Sequence, residues 1–280
     1  MGKGKKWNEV PPSQQSPLDA AVASRDAGVI QMVKEAVKHK QVALAYQPVV
    51  QTTRPSQPAF YEGLIRLFDE TGRIIPARDF IDQIEEIELG RQIDCLALEK
   101  GLRALRETPH IRLSINMSAR SIGYTRWMDT LKRGLRADPT VGERLILEIT
   151  ERSAMTVPEL VVSFMSDLQR KGISFALDDF GSGYTSFRYL RDFYFDILKI
   201  DGEFIRNIHT DPDNQVLTKA MVAIAQQFDM FTVAESVESF ADVKWLQQIG
   251  VDCLQGYYFG APTIQPPWKQ KPEDQSRQRA

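Results

Sequence analysis

The chain has little of what several common enzyme designs require. Its 280 residues include two cysteines and three histidines, and its formal net charge is −2. Cys95 and Cys253 are too few for a disulfide framework and lack the close spacing of a zinc ligand pair, so packed, reduced thiols are expected. His39, His110 and His209 fall in the basic "KHK", just before a strand signal and in the turn "HTDPD". None stands where a strand end would deliver it to a shared site, which disfavours hydrolases built on His–Asp metal pairs. No serine or cysteine sits in a nucleophile-elbow context. Without a basic excess there is no footprint for a nucleic-acid polymer. No apolar stretch reaches membrane-spanning length, and no signal-like apolar region follows "MGKGKKW". The expectation is a cytoplasmic protein with no membrane association.

What the chain does have is a carboxylate or polar partner after one apolar run after another. Glu62 follows "AFY", Asn116 follows "IRLSI" and Glu148 follows "RLIL". Asp178 and Asp179 follow "ISFAL", Lys199 follows "FDIL", Glu235 follows "FTVA" and Gln255 follows "VDCL". The runs are short and rich in β-branched and aromatic residues, which predicts strands over Val42–Val50, Ala59–Phe68, Ile111–Met117, Arg144–Thr150, Ile173–Asp179, Asp196–Asp201, Met230–Glu235 and Val251–Tyr257. Helical spacing fills the intervals: Ile93, Leu96, Leu98, Leu102 and Leu105, then Val162, Met165 and Leu168 ahead of Gly172, then Leu217, Met221, Ile224 and Phe228.

Strands alternating with helices imply a mostly parallel sheet. Eight such units fit a (β/α)8, TIM-like barrel, which gathers its site from the ends of many strands. An open doubly wound sheet is the rival, but the first strand leads to "QPVVQTTRPSQP" rather than a glycine-rich phosphate loop. The barrel is expected over residues 25–263. Residues 1–24 are read as a flexible tail with the start of the first helix, and residues 264–280 as a flexible tail.

If the strand ends converge, Glu62, Asn116, Glu148, Asp178, Asp179 and Glu235 make a set of hard oxygen ligands carrying five negative charges. Carboxylates packed that closely repel unless a cation joins them. An all-oxygen set suits Mg²⁺ or Mn²⁺, two ions rather than one given the adjacent aspartates. Two ions can polarise a phosphoryl group and lower the pKa of a water. Lys199 adds a cation that can hold that water or neutralise charge on phosphate. Asp201 can simply cap the following helix. A glycosidase carboxylate pair is disfavoured, because adjacent strand residues such as Asp178 and Asp179 point apart. An enolase-like proton abstraction would use Lys199 but leaves the order of the motifs unexplained.

The strings "YEGLIRL", "LSINMS", "LILEITE", "ALDDFGSGYTS", "LKID", "VAESVE" and "LQGYYFGAP" occur in that order. Over roughly Val29–Pro262 the chain resembles the EAL-domain family of cyclic di-GMP phosphodiesterases. The resemblance implies a TIM-like barrel with one strand antiparallel, and hydrolysis of cyclic di-GMP to linear pGpG by a water activated between two metal ions. It implies Glu62, Asn116, Glu148 and Asp178 as first-metal ligands and Asp178, Asp179 and Glu235 as the second set. It further implies Lys199 at the attacking water, Glu238 and Gln255 as supporting groups, and Asp201 as a partner behind the ligands. Gln47, Leu64 and Arg66 match substrate-contacting positions, and Glu151 matches the residue holding the loop "DFGSGYTSFRYL". In the family that loop lies near a dimer interface, so a homodimer is expected.

The chain departs from the family pattern in three places. Gly63 replaces the alanine of the signature tripeptide, which is expected to leave the strand slightly looser. Ser236 replaces a glycine and would be strained if that position needs positive φ. Leu67 stands where tryptophan is common. None removes a matched ligand, which favours an enzyme over the alternative, an EAL-type cyclic di-GMP receptor acting through a protein partner.

Overall fold

Only Thr52 and Thr53 separate the first two strands, too short a link for the crossover that parallel neighbours need, so these two must run antiparallel. The computed structural model describes residues 17–183 and 190–269. Its strands are β1 Val42–Gln51, β2 Arg54–Phe68, β3 Ile74–Pro76, β4 Leu113–Asn116, β5 Leu145–Thr150, β6 Ser174–Phe180, β7 Ile197–Ile200, β8 Phe231–Ala234 and β9 Cys253–Gln255. From β2 through β4 to β9 neighbouring strands are parallel, and β1 closes the barrel antiparallel to both β2 and β9. Each of the eight expected strands is present. The unanticipated β3 lies outside the barrel, antiparallel to the end of β2, and three residues are too few to show a period.

Strand alternation decides what faces the lumen. Val49, Phe60, Ile146, Ala176, Ile197 and Val233 form a buried cluster of their own inside the barrel. Two residues further toward the rim, on the same face of each strand, come Gln47, Glu62, Glu148, Asp178, Lys199 and Glu235. The apolar cluster is therefore the floor of a polar cup. The opposite faces of the strands pack against the surrounding helices in a larger core that includes Leu98, Leu105, Leu113, Leu147, Phe175 and Leu198. Each such side chain contributes roughly 1.5–3 kcal/mol by leaving water.

The helix Glu88–Glu107 buries Ile93, Leu96, Leu98, Leu102 and Leu105 as the spacing requires. The helix Pro212–Gln227 is rotated from the expected phase. It buries Thr218, Met221, Val222 and Ala225, whereas Leu217 and Phe228 are exposed. Small residues at 218 and 225 allow close approach to the sheet and set the face that counting large apolar residues missed. Trp268 lies in the stretch read as the C-terminal tail. Trp268 packs edge-on against Tyr46 and Tyr61, with ring centroids 4.7 and 4.9 Å away, on the outer face of the β1–β2 hairpin.

Gly63 does not loosen β2. A Cβ there would stand 2.7 Å from the Ile115 δ-methyl and 3.2 Å from the Ser114 carbonyl oxygen. The same Ile115 side chain lies 2.8 Å from where a Cβ on Gly101 would sit, so it fills the space above both glycines. Gly63→Ala is accordingly expected to destabilise by about 1–2 kcal/mol through overpacking. Ile115→Val should relieve it, a coupling that urea unfolding of the two single variants and the double variant measures.

Candidate active site

Lys199 is the centre of the cup. Its side chain is 1% exposed, and its ammonium lies 2.7 Å from Glu235, 2.8 Å from Glu148, 2.8 Å from Asp178 and 3.5 Å from Glu62. Strands β2, β5, β6, β7 and the end of β8 thus converge on one point. Asn116, closing β4, donates its side-chain amide to Glu62 Oε1 at 2.8 Å. Gln255, closing β9, donates to Glu62 Oε2 at 2.6 Å and to Gln47 Oε1 at 3.1 Å. Gln47 in turn donates to the Gly260 carbonyl at 3.1 Å.

One ammonium cannot neutralise five carboxylates, and the burden falls unequally. Burial opposes the charge on Glu62, but Lys199 and the amides of Gln255 and Asn116 hold its pKa below the ordinary value. Burial and the charge of Glu62 push Glu148 well above the usual range, against the pull of Lys199. Burial, with Asp178 nearby, raises Glu235 to about 8 and Asp179 to about 6. Lys199 remains cationic: burial disfavours its charge, yet the surrounding acids raise its pKa well above the ordinary value.

The adjacent aspartates do not diverge as an ideal strand would make them. The register between β6 and β7 shifts between Leu177 and Phe180, and Asp179 has a left-handed backbone with φ 54°. This bulge re-aims the second carboxylate, so that oxygens of Asp178, Asp179 and Glu235 lie within 4.8 Å of one another. Ligands on opposite sides of a magnesium ion stand about 4.2 Å apart, so these three can hold a metal ion with little movement. Glu148 Oε1 is buried and has no hydrogen-bond partner among the described residues, a second free oxygen facing the same need for a cation. The donor set fits hard divalent cations.

Ser236, next after Glu235, also has a left-handed backbone, with φ 54°. Its side chain fills the space over Gly202, where a Cβ would come within 2.6 Å of Ser236 Cβ. Ser236→Gly is expected to raise stability by up to about 1 kcal/mol by removing the positive-φ strain, read as a higher melting temperature.

Leu64 and Arg66 continue the lumen face of β2 beyond Glu62, both half-buried, with Arg66 Nη1 donating to the Ile65 carbonyl at 2.9 Å. Glu151 is buried at the start of the helix Glu151–Thr156 and accepts from the Gly181 backbone N–H at 3.1 Å. Gly181 has φ 100°, which only glycine adopts freely. Residues 184–189 of the loop "DFGSGYTSFRYL" lie outside the described residues. Asp201 caps the helix Gly202–Ile205, accepting from the Glu203 N–H at 2.6 Å. Glu238 is exposed after β8, outside the network around Lys199. Arg78 was not anticipated. It follows β3 and is near enough for its charge, after burial, to help lower the pKa of Arg66.

A match to the model of the EAL domain covers residues 30–262. The chain belongs to the EAL-domain family. Over 234 residues it is 30% identical to the cyclic di-GMP phosphodiesterase PdeB of Shewanella oneidensis, covering 82% of this chain and 27% of that protein. Over 234 residues it is likewise 30% identical to the cyclic di-GMP phosphodiesterase PdeR of Escherichia coli, covering 82% of this chain and 35% of that protein. The EAL chain thus spans about a third of the length of these curated relatives. Among solved structures it resembles the PaMucR phosphodiesterase in complex with c-di-GMP, with TM-score 0.77, 28% identity, and coverage of 84% of this chain and 97% of that one. It also resembles the FimX EAL domain from Pseudomonas aeruginosa bound to c-di-GMP, with TM-score 0.76, 25% identity, and coverage of 84% and 96%.

Proposed function

We propose that the chain is an active, metal-dependent phosphodiesterase that hydrolyses cyclic di-GMP to linear pGpG. The observation that carries this reading is the convergence of Glu62, Glu148, Asp178 and Glu235 on Lys199, with Asp179 beside them. Membership of a family whose relatives bear that name supports the same substrate. Glu62, Asn116, Glu148 and Asp178 would hold one ion, and Asp178, Asp179 and Glu235 a second; Mg²⁺ or Mn²⁺ suits both. Bound there, the ions would supply Lewis-acid polarisation of the phosphoryl oxygen and a more acidic water.

In this reading Lys199 orients the attacking water and offsets charge gathering on the phosphate. Water oxygen bonds to phosphorus and gives up a proton, the P–O3′ bond breaks, and the 3′ oxygen takes up a proton to leave as a hydroxyl. Arg66 offers a fork of donors to phosphate oxygens above the acids. Gln47 and Leu64 line the substrate's approach, Gln255 and Glu238 support the ligands and their waters, and Asp201 steadies the Lys199 end of β7. Glu151 holds the Gly181 loop in place. A homodimer, implied by the family resemblance, and a cytoplasmic setting, expected from the composition, belong to the same proposal. Incubating the protein with cyclic di-GMP and Mn²⁺ or Mg²⁺, and resolving products by chromatography and mass, tests it. The expected product is pGpG, formed only with metal. Binding of cyclic di-GMP without turnover under any metal would favour the receptor reading instead.

A further inference from the structure

Asn116 is followed by a loop whose backbone amides are each claimed. Met117 N–H donates to the Glu148 carbonyl at 2.9 Å. Ser118 N–H donates to Asp94 Oδ2 at 3.0 Å, and the Ser121 hydroxyl donates to the same oxygen at 2.6 Å. Ala119 N–H donates to Ser153 Oγ at 2.8 Å, and Arg120 N–H to Ser118 Oγ at 3.2 Å. Asp94 comes from the helix Glu88–Glu107 and is 9% exposed; Ser153 comes from the helix Glu151–Thr156. The loop is thus pinned from both sides two to five residues past the Asn116–Glu62 hydrogen bond.

A buried carboxylate is costly unless its hydrogen bonds repay its lost hydration. Here one oxygen takes two donors from a single short loop, and that loop begins at a proposed metal ligand. A ligand side chain must be held within about 0.5 Å of its working place, which requires its supporting shell to be fixed. We propose that Asp94 is a positioning residue for Asn116: by anchoring Ser118 and Ser121 it fixes the end of β4 so that the Asn116 side chain stays turned toward Glu62. The metal part of this inference rests on the proposed function; the orientation of Asn116 does not. Burial also lifts the Asp94 carboxyl to about 6, the mark of a charge kept dry at some cost.

The sequence contains four asparagines, so asparagine-selective ¹⁵N labelling isolates the Asn116 side-chain amide by NMR. In the metal-free wild type, two resolved Asn116 Nδ2 proton signals are expected, one displaced by its bond to Glu62. Asp94→Ala should merge or broaden them and weaken Mn²⁺ binding by roughly 10–100-fold, as loss of an outer partner does. Asp94→Asn, which keeps an acceptor oxygen, should restore both. If Asp94→Ala does not fold, Ser121→Ala removes one of the two anchors and should partly broaden the same signals. Asn116 signals unchanged in whichever alanine variant folds would overturn the proposal, whatever its melting temperature. Absence of Mn²⁺ binding by the wild type would count against the proposed function alone, because the Asn116 signals still decide the positioning role.

Discussion

Glu62→Gln is expected to leave a folded EAL domain that has lost nearly all turnover. The substitution keeps the shape of the side chain and removes the charge that draws Lys199, Asn116 and Gln255 toward β2. It also sets an amide donor against the amide donors of Asn116 and Gln255, so one side-chain group around position 62 must turn away. Loss of an outer partner of a metal costs 10–100-fold; loss of a ligand itself should exceed about 100-fold in kcat. The loss should appear in kcat at saturating Mn²⁺ more than in KM, because the charge acts on the reacting phosphate and not on the bases. Steady-state assay of pGpG formation measures it. Turnover within a few-fold of the wild type would remove Glu62 from the ligand set.

The second large effect is of pH on the metal-free protein. Glu235 titrates near 8 and Asp179 near 6 in the fold, both above their ordinary values and first of all because they are buried. Over that window the folded chain holds protons that the unfolded chain has released. The contribution of these two groups to stability is therefore fully present below their unfolded pKa values and is lost as pH rises from about 4.5 to 8, on the order of a few kcal/mol. Metal binding requires these carboxyls deprotonated, so Mn²⁺ affinity should climb over the same interval, by up to about tenfold per unit for each proton displaced. Melting curves in EDTA and with saturating Mn²⁺ read both effects. The two curves should part company as pH rises from 5 to 8. A melting temperature flat across that range in EDTA, with pH-independent metal affinity, would contradict the charge arrangement around Lys199.

Much of this was legible in the chain because barrel geometry repeats one rule. An apolar run followed by a polar residue marks a strand end, and all seven such runs became strands of the barrel. The reason is local: alternation puts Phe60 and Glu62, or Ile197 and Lys199, on one face two residues apart. The antiparallel pairing of β1 came from the resemblance alone, because the expected strand bounds at Val50 and Ala59 hid the two-residue link Thr52–Thr53 that forces it.

What escaped the sequence depended on contacts between distant parts of it. Positive φ at Asp179 brought two neighbouring aspartates together where strand alternation separates them. Room for Gly63 is set by Ile115, fifty-two positions away. The helix Pro212–Gln227 buries Thr218 and Ala225 beside Met221 and Val222, a face that counting large apolar side chains does not find. Asp94 stands among apolar helix positions with nothing local to mark it, and only the fold brings it to Ser118 and Ser121.

The most direct check on the account is an anomalous difference map from crystals soaked in Mn²⁺. Two peaks are expected at the rim, roughly 3.5–4 Å apart, one reached by Glu62, Asn116, Glu148 and Asp178, the other by Asp178, Asp179 and Glu235. No peak there, or peaks held by other side chains, would contradict it.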